Sequence, residues 1–118
     1  MKNRPFVQRV GFALAGLGEG WRRERSFRTQ VAIAVLVAAA LAVLRPSAIW
    51  WALIGFVVAV VLAMELVNAA LEALVDHLHP DSHPEIRILK DMAAASVLLV
   101  SCGAVAVAVC LVVSMWAG

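Results

Sequence analysis

The sequence predicts an all-α membrane protein, with three transmembrane helices preceded by an N-terminal amphipathic surface helix. Three observations predict it. Of the 118 residues, 64% are hydrophobic, against roughly 45–50% in soluble globular domains, and a soluble core of this size could not cover that much apolar surface. The apolar residues fall into long blocks, Val31–Leu44, Ala48–Met64 and Met92–Trp116. Basic residues gather ahead of the first block: Lys2, Arg4, Arg9, Arg22, Arg23, Arg25 and Arg28 stand against Glu19 and Glu24, a net of +5 in residues 1–30.

The surface helix is expected over residues 5–23, where Phe6, Val10, Ala13 and Leu17 recur at helical spacing and Trp21 follows. Basic residues flank this apolar face, the pattern of a helix lying at a membrane surface. Gly16, Gly18 and Gly20 weaken its end and predict a kink or break there. They form no phosphate loop, since GxxxxGK[ST] is absent from the chain.

The spans are expected over 27–45, 48–76 and 83–116. A bilayer core of about 30 Å takes about 20 helical residues. The third block meets this easily, the second does so by continuing into "ELVNAALEALVD", and the first needs its ends in the interfaces. Ser82 and Glu85 have S-x-x-E spacing before an apolar run, a capping-box signature that starts the third span near His83 or Pro84. The basic N-terminal segment places the N-terminus in the cytoplasm; three spans then put the 77–91 loop inside and the C-terminus outside. No cleavable signal peptide is expected. The chain is read as one domain, residues 1–118.

Glu65, Asn68, Glu72 and Asp76 are spaced 3, 4 and 4 residues apart. At about 100° per residue they share an arc of roughly 80° on the second span. Glu65 falls near the end of the hydrocarbon and Glu72 about 10 Å further toward water. Ionisable groups at membrane depth are costly and are functional by default. Antiparallel packing through the short loop brings Lys90 and Asp91 toward this stripe, and Glu24 enters the first span at the same level. Carboxylates of this kind suit Mg²⁺, which takes one or two of them together with nucleotide phosphate oxygens. Lysine offers charge to phosphates, and a carboxylate beside lipid can take a hydroxyl proton.

Plainer readings exist for each residue. Glu72 and Asp76 alone describe a solvated helix end, Lys90 an interface anchor, Asp91 a favourable charge near a helix N-terminus, and Glu24 a surface ion pair. His77, His79 and His83 lie in a polar loop without a rigid scaffold and are not read as a metal site. Trp21, Trp50, Trp51 and Trp116 are read as interface-belt residues. Cys102 and Cys110, eight positions apart on one helix, cannot bridge each other.

"ELVNAALEALVD" followed by "KDMAAASVLL", and preceded by "GL...W..E.SFR", resembles the prokaryotic integral-membrane diacylglycerol kinase family, which also includes undecaprenol kinases. The resemblance covers nearly the whole chain. It implies a homotrimer in the bacterial cytoplasmic membrane that transfers the γ-phosphoryl group of MgATP to a lipid hydroxyl. By the same resemblance Glu65 is the general base, and Glu24 and Glu72 hold Mg²⁺ with its nucleotide. Asn68, Lys90, Asp91 and Asp76 position ATP, with Glu24 contributing to both sets. The implied partners are ATP, diacylglycerol with undecaprenol as the alternative lipid, the bilayer and further copies of the chain; no nucleic acid is expected. A small proton-coupled exporter is the reading from another class. Three apolar blocks, with carboxylates clustered at one interface, argue against it.

Overall fold

The computed structural model describes residues 3–117, so Lys2 lies outside the described residues. Four helices follow one another: α1 (Phe6–Arg23), α2 (Arg25–Leu44), α3 (Ala48–Leu78) and α4 (Pro84–Ala117). The last three are long and apolar enough to cross a membrane. Helix α3 is the common support: α1, α2 and α4 all pack on it, and the α3–α4 contact is the most extensive. At the end remote from the polar stripe, Leu41, Ile54 and Leu111 form a small core joined by Val37, Trp50, Val58 and Val107. Most other apolar side chains are exposed. Water would not tolerate such a surface, whereas lipid wets it and leaves helix association to close packing.

The expected break at the glycines does not occur. Helix α1 runs unbroken to Arg23, and the chain turns at Glu24, whose extended backbone is the single residue between α1 and α2. Two contacts offset the low helix propensity of the glycines. The guanidinium of Arg28 donates to the carbonyls of Trp21 (2.7 Å) and Arg22 (3.2 Å), capping the C-terminus of α1. Gly20 is buried, and a Cβ built there would overlap Leu66 Cδ2 and lie 3.6 Å from Phe27 Cδ2. The missing side chain is what lets α1 settle onto α3 above Phe27.

Two other turns complete the chain. Arg45 ends α2 in the left-handed region, φ 52°, and Pro46 stops continuation. At the start of α4 the expected Ser82–Glu85 box is not formed. The helix begins where expected, with Pro84 in its first position, but His83 Nδ1 accepts the Glu85 backbone N–H at 3.0 Å. Proline suits the first helical position because its missing donor is not needed there, so His83 takes the capping place.

The glycines therefore differ in their tolerance. Gly18→Ala, with nothing within 4 Å of the added Cβ, is expected to stabilise α1 by up to about 1 kcal/mol. Gly20→Val should instead destabilise by about 1–3 kcal/mol through overpacking against Leu66. Thermal unfolding in detergent checks both; equal shifts in the two variants would mean that α1 does not pack on α3 in this way.

Candidate active site

Glu65 is the buried charged residue among the described residues, only 7% exposed. Its carboxylate takes one hydrogen bond there, from Ser26 Oγ to Oε2 at 3.1 Å. Ser26 is in the first turn of α2 and Glu65 is midway along α3, so the contact ties the two helices at the level where the surface helix joins the first span. Burying a carboxylate without compensation is costly, and a hydroxyl in a helix's first turn compensates twice, by the bond and by the positive end of the helix.

The rest of the stripe runs from Glu65 toward the end of α3. Asn68 is half-buried, and its Oδ1 is buried with no hydrogen-bond partner among the described residues. Glu72 is half-buried, and neither it nor Glu24 pairs with a cation there: the ion pairs are Arg22 and Arg23 with Glu19, Arg87 with Asp91, and Lys90 with Asp76. An orphaned acceptor beside a bare carboxylate is an arrangement that awaits a cation or a hydrogen-bond donor.

Lys90 reaches the stripe, its Nζ lying 2.5 Å from Asp76 Oδ1. Asp91 does not. It lies about 100° further round α4 and faces Arg87 Nε at 3.5 Å in an exposed pair. Loop proximity brings one member of the Lys–Asp dipeptide to α3 and turns the other away.

Three concavities surround the stripe. An apolar groove of about 170 Å³ runs between α2, α3 and α4, and its lining includes Gln30, Val37, Val61, Leu62 and Ala108. Gln30 is one turn beyond Ser26 on α2, and Leu62 one turn before Glu65 on α3, so the groove ends about one turn short of the buried carboxylate. A wet cleft of about 460 Å³ lies past the other end of the stripe, lined by Asp76, His83, Arg87 and Lys90 among others. A third, of about 250 Å³, separates α1 from α3. There Glu19, Arg23 and Glu24 face Leu66, Ala69, Ala70 and Ala73.

This third cleft holds Glu24 but not Glu72. The alanine face of α3 is turned about 100° from Glu72. Among the described residues no three His, Cys, Asp or Glu side chains converge as a metal cage. The donor set still fits a hard divalent cation that keeps phosphate oxygens as ligands, because such an ion needs only one or two carboxylates and both are free of competing cations. Glu19 is different: the bidentate Arg22 guanidinium, with a shortest contact of 2.6 Å, holds its carboxyl below the ordinary value.

Sequence reasoning missed Ser26. Its partner is 39 positions away, and no periodicity links a serine in "RSFRTQ" to a glutamate in the second span.

Three long apolar helices, with a buried carboxylate about one turn past an apolar groove and polar clefts beyond, describe a multi-pass membrane protein. Residues 11–112 match the family described as prokaryotic diacylglycerol kinase, and the chain belongs to that family. It is 37% identical to the diacylglycerol kinase of Synechocystis sp. over 101 residues, 85% of this chain and 58% of that protein. It is 36% identical to the diacylglycerol kinase of Escherichia coli strain K12 over 94 residues, 79% of this chain and 76% of the relative. The diacylglycerol kinase of Pseudomonas aeruginosa is 34% identical over 87 residues, 74% of this chain and 71% of the relative.

The Lys90–Asp76 pair is partly exposed, at 30% and 64% for the two side chains. A double-mutant cycle with Lys90→Met and Asp76→Asn should give a coupling of about 0.2–1 kcal/mol. Salt near 1 M, where the screening length falls to about 3 Å, should shrink it. A larger, salt-insensitive coupling would mean that the pair holds α3 and α4 together.

Proposed function

We propose that this chain is an ATP-dependent lipid kinase, transferring the γ-phosphoryl group of MgATP to the hydroxyl of diacylglycerol and giving phosphatidic acid. The observation that carries the reading is the position of Glu65, buried, bonded by a neutral hydroxyl and one helical turn past the end of an apolar groove. Family membership and relatives named diacylglycerol kinase support the same reading and favour diacylglycerol over undecaprenol.

The lipid's apolar chains lie along the groove, which delivers the headgroup hydroxyl to Glu65. Glu65 takes the hydroxyl proton as the oxygen bonds to the γ-phosphorus. The bond from that phosphorus to the oxygen bridging to the β-phosphate breaks, and ADP leaves. Lys90 and Asn68 orient the triphosphate, with Asp76 and Asp91 at the nucleotide end; Lys90 exchanges its Asp76 partner for phosphate. Glu72 and Glu24 hold Mg²⁺, which when bound supplies neutralisation of the phosphate charge. Transfer of this type depends on positioning and electrostatics more than on covalent chemistry.

Within one chain Glu24 and Glu72 do not share a cleft, and apolar faces of α2 and α4 stay open. A homotrimer accounts for both, a neighbouring copy supplying the missing wall. The excess of basic residues before the first span supports a cytoplasmic N-terminus in a bacterial cytoplasmic membrane, and an odd number of spans then puts the C-terminus outside.

In mixed micelles, Glu65→Gln should lower kcat for diacylglycerol phosphorylation by roughly 10²- to 10⁴-fold while Mg²⁺-dependent nucleotide binding persists. Glu72→Gln should instead weaken MgATP binding, seen as a raised KM. Full turnover by Glu65→Gln would remove the proposed base, and turnover of undecaprenol in preference to diacylglycerol would reassign the acceptor.

A further inference from the structure

A glutamate side chain at a lipid–water boundary has a way out: its flexible stem can carry the carboxylate toward water. What keeps Glu65 in place is the Ser26 hydroxyl, 3.1 Å from Oε2. We propose that Ser26 is a positioning residue for phosphoryl transfer, its bond to Oε2 holding the Glu65 side chain so that Oε1 takes the lipid proton. This rests on the lipid kinase reading given above.

The surroundings of Ser26 make it an apt anchor. It stands between Glu24, the single-residue joint, and the buried Phe27, and Arg28 pins the same turn of α2 to the end of α1. Thr29, the next hydroxyl along α2, is committed to the Arg25 carbonyl at 3.1 Å and offers Glu65 no alternative. Of the basic side chains near the joint, Arg22 and Arg23 pair with Glu19 and Arg28 with carbonyl oxygens, while Arg25 forms no ion pair with Glu65 among the described residues. Glu65 is therefore oriented by a neutral donor. A guanidinium in that place would stabilise the charged form and make a poorer base. A hydroxyl fixes direction through one oxygen and leaves the other free to accept a proton.

The test uses the full chain in mixed micelles with MgATP and diacylglycerol. Ser26→Ala should lower kcat roughly 10- to 100-fold, the scale of a misplaced catalytic group, with KM for both substrates changed less than about twofold. Ser26→Thr, which keeps the hydroxyl, should restore most of the rate. Adding Ser26→Ala to Glu65→Gln should cost nothing further, because the serine acts only through the glutamate. An infrared readout stands apart from turnover: the Glu65 carboxylate band, assigned by its disappearance in Glu65→Gln, should move in Ser26→Ala and stay in Ser26→Thr. Wild-type turnover with an unaltered kcat in Ser26→Ala, equal losses in the alanine and threonine variants, or an unmoved band would each overturn the role of Ser26. A wild-type chain that moves no phosphate to lipid would instead remove the kinase reading, and this inference with it, even if the band shifts.

Discussion

A carboxylate buried between two apolar helices is the constraint around which this structure is arranged. Glu65 is buried where water cannot solvate it freely, so the fold must bring a donor to it. That donor comes from a different helix, and its place depends on the corner that α1 and α2 make. One extended residue turns the chain, Arg28 closes the end of α1, and Gly20 lets α1 lie close over Leu66 and Phe27. The surface helix is thus more than a membrane float. It braces the first turn of α2, and through that turn the buried glutamate.

The second organising feature is the length of α3. Its 31 residues extend about 46 Å, well beyond a hydrocarbon core of about 30 Å. One unbroken helix can therefore carry apolar residues through the lipid and a polar stripe out past it. The groove at Leu62 and the wet cleft at Asp76 are two ends of the same rod. An unbroken link of this kind suits the proposed reaction, whose partners dissolve in different phases, because catalysis by positioning demands fixed distances between them.

Much of this was legible in the sequence because helical periodicity is local. The three spans and the shared facing of Glu65, Asn68, Glu72 and Asp76 follow from spacing alone. What escaped was set by tertiary contact. The glycines of α1 read as a weak point, since propensity cannot show that Gly20 is filled by Leu66 or that Arg28 caps the helix from seven residues away. The S-x-x-E pattern marks the start of α4 correctly, but Pro84 takes the first helical position and His83 caps in place of Ser82. Lys90 and Asp91 are neighbours in sequence, but adjacent helical positions diverge by about 100° and only the lysine turns to α3. Ser26 stands in the "E.SFR" motif, but its bond to Glu65 emerges only once the chain is folded.

The central claim is that the groove and the buried carboxylate serve transfer to a lipid rather than to water. Its most direct measurement is the fate of the γ-phosphate: purified wild-type protein, Mg²⁺, ATP labelled in that group and diacylglycerol, followed by extraction into organic solvent. The account predicts label in phosphatidic acid, dependent on Mg²⁺ and matched by ADP released. Label found only as inorganic phosphate in the aqueous phase, from protein that is folded and supplied with lipid, would contradict it.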